Sequence, residues 1–216
     1  MGVPRGGSLV VGALRPSRKT GRLRGSRRGP RARHNVRVPA PPDRPVAGAP
    51  DAPPLFLPAE PFPPYRFVPG HAPHPFLPGG YAAGQHPPPP PYAPLERWRE
   101  SPAYLRGLDF FNRGWWWEAH ETWESLWHVC DGRDEAQHEL LKGLIQLAAS
   151  ALNRERGNDA GAGRLLETSA AALGRARALA DADTLGGLDL PALEREARSR
   201  LGVPVARVDG FYLRPV

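Results

Sequence analysis

Apolar side chains recur every three or four positions through most of the second half of the chain, the spacing of one buried helix face. The first such segment starts at Ser101-Pro102, a capping serine followed by a first-turn proline, and ends before Gly114. The predicted helices cover 101–113, 115–129, 134–156, 160–181 and 189–201. No alternating strand pattern is present. We therefore expect an all-α fold, a compact bundle of about five helices built from two antiparallel helical hairpins.

The first half of the chain has a different composition and divides into two segments. Residues 1–50 hold 12 of the 29 Lys and Arg residues and a single acidic residue, and their Pro, Gly and Arg content favours a disordered tail. Residues 51–94 are also rich in proline, but apolar and aromatic side chains are interleaved with it. We expect an extended arm on the helical domain, with a disordered linker as the alternative. The helical domain then covers 95–202, and a C-terminal strap covers 203–216.

Charge and cysteine content indicate which cellular compartment and which partners are expected. The basic tail can neutralise several phosphates, which makes an accessory role in weak, sequence-independent nucleic-acid binding one hypothesis. The arginines concerned are Arg22, Arg24, Arg27, Arg28, Arg31 and Arg33. The single cysteine, Cys130, excludes an internal disulfide, and no run of about 18 apolar residues is present. We expect a cytoplasmic protein without a membrane span.

The segment 110–127 contains five of the six tryptophans, together with one histidine and three glutamates. At about 100° per residue, His120 and Glu124 share one face of a helix with four of these tryptophans. The four are Trp116, Trp117, Trp123 and Trp127. An ionisable pair is thus placed among large aromatic rings, and polar groups on a buried face need partners.

Neighbouring side chains decide whether this face forms a site. Glu118 points to the opposite side of the helix and is expected to be solvated, and Trp115 beside it is either exposed or covered by the arm. The third helix carries a stripe of small and hydrogen-bonding side chains that faces either solvent or the tryptophan helix. Its members are Glu139, Gly143, Gln146, Ser150 and Asn153. In the second case Gln146 joins His120 and Glu124 in one polar pocket.

The leading hypothesis is a binding pocket for a small molecule or a protein segment, with indole rings as its wall and polar side chains as its contacts. The expected pocket residues are Asn112, Trp116, Trp117, His120, Trp123, Glu124, Trp127 and Gln146. The alternative is a buried hydrogen bond between His120 and Glu124 that only orients the ring. Phosphate-binding glycine loops, dinucleotide fingerprints and Gly-x-Ser-x-Gly elbows are absent from the sequence.

A metal-dependent hydrolase is a second hypothesis, because a His and a Glu four residues apart on a helix can hold two ligands of one ion. The predicted ligands of a divalent metal are His120, Glu124 and, from the arm, His74. Glu121 is the expected base. No other cofactor is expected, and whether the protein is an enzyme stays open.

Two runs of the sequence resemble motifs of a known family. The first is Phe-Phe-Asn-Arg-Gly at 110–114 followed by Trp-Glu-Ala-His-Glu at 117–121, and the second is Leu-Lys-Gly-Leu-Ile-Gln at 141–146. Together they resemble the bacterial domain-of-unknown-function family 309 over about residues 100–175. The resemblance implies a small, all-helical cytosolic domain. It implies no activity, cofactor or substrate.

Overall fold

The computed structural model describes residues 52–85, 87–202 and 211–216. Within them the chain forms a short 3-10 helix, five α-helices and one small hairpin. The elements are the 3-10 helix Leu95–Glu100, α1 (Pro102–Asn112), α2 (Trp116–Cys130), α3 (Glu135–Glu155), α4 (Asp159–Ala180), β1 (Thr184–Leu185), β2 (Leu188–Asp189) and α5 (Leu190–Leu201). The expected all-α bundle is confirmed. The predictions of disorder and of nucleic-acid contact for residues 1–50 lie outside the described residues.

Polar side chains and glycines set the helix ends close to where the sequence predicts them. At the start of α1, α3, α4 and α5, a side-chain oxygen accepts the backbone N–H three residues further on. The capping residues are Ser101, Asp134, Asn158 and Asp189. After α1 the chain reverses at Gly114, whose φ of 76° lies in the left-handed region that favours glycine.

The hairpin of β1 and β2 was not predicted. Two residues in each strand are too few to show an alternating pattern in the sequence. Gly186-Gly187 form its turn, with φ values of 60° and 78°, and Leu188 behind the turn is buried. The hairpin thereby places Asp189 at the start of α5.

Two members of the polar stripe of α3, Gly143 and Ser150, face α4. Gly143 leaves room for the Leu173 side chain, Ser150 Oγ donates to the Ala162 carbonyl at 2.8 Å, and Ser169 Oγ of α4 donates to the Gly143 carbonyl at 2.7 Å. Gly143 and Ser150 therefore face neither solvent nor the tryptophan helix, and both expectations are wrong for these two positions. Small residues here allow α3 and α4 to approach closely, and the hydroxyl groups are satisfied by backbone carbonyls.

The arm lies along α1 and α2, and helix carboxylates accept its backbone N–H groups. Asp109 accepts from Phe56 at 2.8 Å and from Leu57 at 3.0 Å, and Glu118 accepts from Phe67 at 2.7 Å. A proline-rich segment has few N–H groups to offer, and these three are bound by ionisable side chains. The arm is therefore held by charge-assisted hydrogen bonds as well as by apolar contacts.

Arginine side chains add further attachment between the arm and the helices. Arg66 of the arm forms a double hydrogen bond with Glu155 at the end of α3 and donates to the Gly114 carbonyl at 2.8 Å. In the other direction, the Arg106 guanidinium of α1 lies 4.7 Å from the centre of the Phe62 ring.

The C-terminal segment 211–216 forms neither helix nor strand and is bound to α1 by Asn112. The Asn112 side chain donates to the Leu213 carbonyl at 2.9 Å and accepts the Leu213 N–H at 2.7 Å. The Phe211 ring packs edge-on against Phe111, with ring centroids 5.4 Å apart. Asn112 was expected in the binding pocket. Both polar atoms of its amide are instead used by the C-terminal segment.

The longest helix, α4, has 22 residues. Across the described residues, no helix combines the length and the apolar character that a membrane crossing would need.

Candidate functional site

The N-terminal end of α2 is enclosed on several sides. The rings of Trp115 and Trp117 contact phenylalanine rings of the arm, and Trp116 contacts a phenylalanine of α1, all with ring centroids 4.9–5.1 Å apart. None of the three is more than 8% exposed. Of the two alternatives for Trp115, coverage by the arm is the one observed.

Glu118 is buried against the arm, so the expectation that it is solvated is wrong. The residue is 4% exposed, Oε1 accepts the Phe67 N–H, and the buried Oε2 has no hydrogen-bond partner. Burial raises the pKa of the Glu118 carboxyl to about 7, although the Phe67 N–H and the charge of Arg66 act to lower it. The three consecutive tryptophans before Glu118 cover most of the helix circumference. That pattern is typical of a helix enclosed on all sides, and it could have predicted the burial of Glu118.

The His120 ring is 6% exposed and is oriented by the backbone of α3. Nδ1 lies 3.3 Å from the Ile145 carbonyl oxygen. A carbonyl only accepts, so Nδ1 carries the hydrogen in this contact, and in the neutral ring Nε2 carries a lone pair. Burial lowers the pKa of His120, while the Glu124 charge and the Ile145 carbonyl act to raise it.

The Nε2 atom of His120 faces a carboxylate at a distance that is too long for a hydrogen bond. It lies 3.7 Å from Oε2 of Glu124, one helical turn further along α2. In the neutral ring both atoms are acceptors, and the approach therefore lacks a hydrogen between them. The alternative of a buried hydrogen bond that satisfies both side chains is therefore not what this contact provides.

Glu121 joins this pair. One ligand atom from each of His120, Glu121 and Glu124 can be chosen so that all three lie within 4.8 Å of one another. Burial raises the pKa of the Glu121 carboxyl to about 7, and the neighbouring Glu124 charge contributes in the same direction. The Glu124 side chain is 19% exposed, so the group reaches solvent on one edge. An imidazole nitrogen and two carboxylates are ligand types that suit a divalent transition metal.

His74 lies outside this group. Its ring packs edge-on against Phe67 and Trp117, with centroids 5.0 and 5.5 Å apart, and its Nδ1 accepts the Phe76 N–H at 3.3 Å. Burial lowers the pKa of His74. The aromatic contacts of the arm thus place His74 on the Trp117 side of α2. Glu121, which was expected to act as a base, takes the third position beside His120 and Glu124.

The tryptophans expected in one pocket are divided among three places. Trp116 and Trp123 lie in the core, where Trp123 is completely buried, and Trp117 faces the arm. Trp127 is half-buried at the edge of α2, and its ring stacks on His138 of α3 with centroids 4.5 Å apart. These rings fill the contacts between elements and do not form one continuous wall.

Two further side chains belong to the elements that flank the group. Gln146 directly follows Ile145 on α3, and its buried Oε1 has no hydrogen-bond partner. Tyr81 of the arm lies on the other side. Burial and the charges of Glu118 and Glu121 raise the pKa of its phenol. The site therefore lies on α2, with α3 on one flank and the arm on the other.

Comparison with known proteins identifies a family but no activity. The family model described as "Domain of unknown function (DUF309)" matches residues 104–165, which run from α1 into α4 and include the whole of α2 and α3. No curated protein and no solved structure matches the chain. The residues of the candidate site all lie within the matched segment.

Proposed function

Residues 104–165 of this chain belong to the DUF309 family, and within them we propose a site on α2 that binds a divalent cation through His120, Glu121 and Glu124. The carrying observation is the approach of His120 Nε2 to the Glu124 carboxylate at 3.7 Å. Because the Ile145 carbonyl takes the Nδ1 hydrogen, the facing Nε2 atom has no hydrogen of its own to donate in the neutral ring. His120 and Glu124 would hold a cation as two of its ligands, and its charge would turn a repulsive contact into a favourable one.

The surroundings of the imidazole support this proposal. Histidines that bind metals usually donate their second ring N–H to a carboxylate or a backbone carbonyl, which fixes the tautomer and the ring orientation. The contact between His120 Nδ1 and the Ile145 carbonyl has this form. Two carboxylates then supply the negative charge that a divalent ion needs in a site of low solvent access. The ligand-binding hypothesis is thus narrowed from an unspecified small molecule to a metal ion.

The hydrolase hypothesis is weakened by the same geometry. Glu121 was its proposed base, but Glu121 lies with His120 and Glu124 where a ligand would lie. A carboxylate that binds the ion has little basicity left for a metal-bound water. We therefore propose cation binding, without a hydrolytic step.

Two other parts of the sequence hypothesis stay proposals. The arm covers a surface of α1 and α2 on which a protein segment could bind. The segment proposed to bind this domain is therefore the arm of the same chain.

A cytoplasmic location is supported by Cys130, which is buried and forms no disulfide.

The test is isothermal titration of the full chain with Zn²⁺ and, separately, with Mn²⁺. We expect one ion per chain, and a loss of affinity of at least about tenfold in Glu124→Gln, which keeps the shape of the side chain while removing its charge. His120→Ala should lose binding to a similar or greater extent. His128→Ala is the matched control, since His128 lies on the same helix but is exposed and outside the group. The proposal would be refuted if the wild type bound no stoichiometric ion. It would also be refuted if Glu124→Gln and His120→Ala bound the ion as tightly as the wild type.

A further inference from the structure

The Oε1 atom of Gln146 is a buried acceptor without a donor. It is shielded from solvent and forms no hydrogen bond within the described part of the chain. An unsatisfied buried carbonyl oxygen costs about 1–3 kcal/mol, so an atom of this kind calls for a partner. Gln146 follows Ile145, the residue whose carbonyl orients the His120 ring.

Helical geometry puts Gln146 and the three proposed ligands on the same side of the seam between α2 and α3. His120 contacts Ile145 and Trp127 stacks on His138, so the two helices run antiparallel with these residues at their seam. At about 100° per residue, Gln146 lies on the side of that seam turned away from the core of α3. The core side of α3 carries Leu141, Leu144 and Ala148, all fully buried.

The side chains of α2 are divided in the same way between a core side and an outer edge. Glu121 and Glu124 lie on one side of His120, whereas the completely buried Trp123 lies on the other. The outer edges of the two helices therefore meet in one groove, with carboxylates on the α2 side and the Gln146 amide on the α3 side. Lys142 also lies along this edge, but its ammonium group is paired with Glu139 at 3.3 Å.

We infer that the Gln146 amide oxygen is a further ligand of the cation, so that α2 and α3 hold the ion together. This inference rests on the proposed function. It gives the site one imidazole nitrogen and three oxygens from carboxylates and an amide. A ligand set of this composition suits Mn²⁺, Fe²⁺ and Zn²⁺, and it lacks the thiolate and thioether ligands that select Cu⁺.

The inference is tested by titrating the full chain and its Gln146 variants with Mn²⁺ and with Zn²⁺. Gln146→Leu removes the oxygen and keeps a side chain of similar volume, and it should weaken binding of both ions by at least about tenfold. Gln146→Glu replaces a neutral oxygen ligand with a charged one and should strengthen binding. Gln137→Leu is the matched control: the Oε1 atom of Gln137 is also buried without a partner, but Gln137 lies about two helical turns before Ile145 and its Nε2 donates to the Ala93 carbonyl.

The outcomes separate the inference from the function on which it rests. If the wild-type chain binds neither ion, the proposed function fails and the inference fails with it. If the wild type binds and both Gln146 variants bind with unchanged affinity, Gln146 is no ligand, although the α2 site stands. Equal losses in Gln146→Leu and Gln137→Leu would also overturn the inference, because they would show a general effect of removing an amide from α3.

Discussion

Two regions of α2 carry buried carboxylates, and what covers each region sets a different role for them. At the arm-facing surface, Glu118 accepts a backbone N–H of the arm at 2.7 Å. At the outer edge, one turn further along the helix, Glu121 and Glu124 are close to each other and to His120, whose Nε2 atom carries no hydrogen in the neutral ring. A buried acid whose neighbours supply a donor is explained by the fold. Two acids beside an imidazole nitrogen that carries a lone pair form a set of ligand atoms, and such a set points to a ligand from outside the chain.

The largest expected difference in stability along α2 is between variants of two of its tryptophans, one in the core and one at the edge of the helix. Trp123→Ala should lower the free energy of unfolding by about 3–5 kcal/mol, because the ring is completely buried and donates to the Tyr104 carbonyl at 3.4 Å. Trp127→Ala, beside His138 at the seam with α3, should cost about 1–2 kcal/mol, because its ring is only half-buried. Denaturant unfolding of both variants measures the difference. Equal costs would show that the Trp127 ring is as enclosed as the Trp123 ring.

Replacing the carboxylates by alanine should change the free energy of unfolding less, and in opposite directions at the arm-facing surface and at the outer edge. Without added metal, Glu118→Ala should lower the free energy of unfolding by about 1–3 kcal/mol, because the Phe67 N–H loses its acceptor in a buried setting. Glu121→Ala should change it by less than about 1 kcal/mol and in the stabilising direction, because it relieves the repulsion from Glu124.

The control for this pair is Glu118→Gln. The amide oxygen can still accept the Phe67 N–H, so we expect most of the loss in Glu118→Ala to be recovered. Limited proteolysis should follow the same order, with the arm of Glu118→Ala cleaved fastest. A Glu121→Ala variant that is destabilised as much as Glu118→Ala would remove the distinction between the two regions.

The local part of this structure could be predicted from the sequence. Helix ends follow from Ser101, Gly114 and Gly157, because capping and left-handed turns depend on residues a few positions apart. The pairing of His120 and Glu124 on one face follows from helical periodicity alone.

What the sequence could not supply depends on contacts between distant parts of the chain. The burial of Glu118 depends on an arm residue 51 positions away, and the role of Asn112 depends on a partner 101 positions away. Periodicity shows which side of a helix is polar, but it does not show what lies opposite that side. For the same reason the sequence predicts that the stripe on α3 faces solvent or α2, whereas Ser150 and Gly143 face α4.

The two ring nitrogens of His120 test the central claim most directly. Nitrogen-15 NMR of the histidine side chains, recorded as Zn²⁺ is added to the full chain, distinguishes a protonated nitrogen from one that binds a metal. We predict that the Nε2 resonance of His120 moves to the metal-bound range with one equivalent of Zn²⁺, while Nδ1 keeps its hydrogen and its contact with Ile145. If neither nitrogen of His120 responds while the protein remains folded, no cation binds between His120 and Glu124, and the account of this site is wrong.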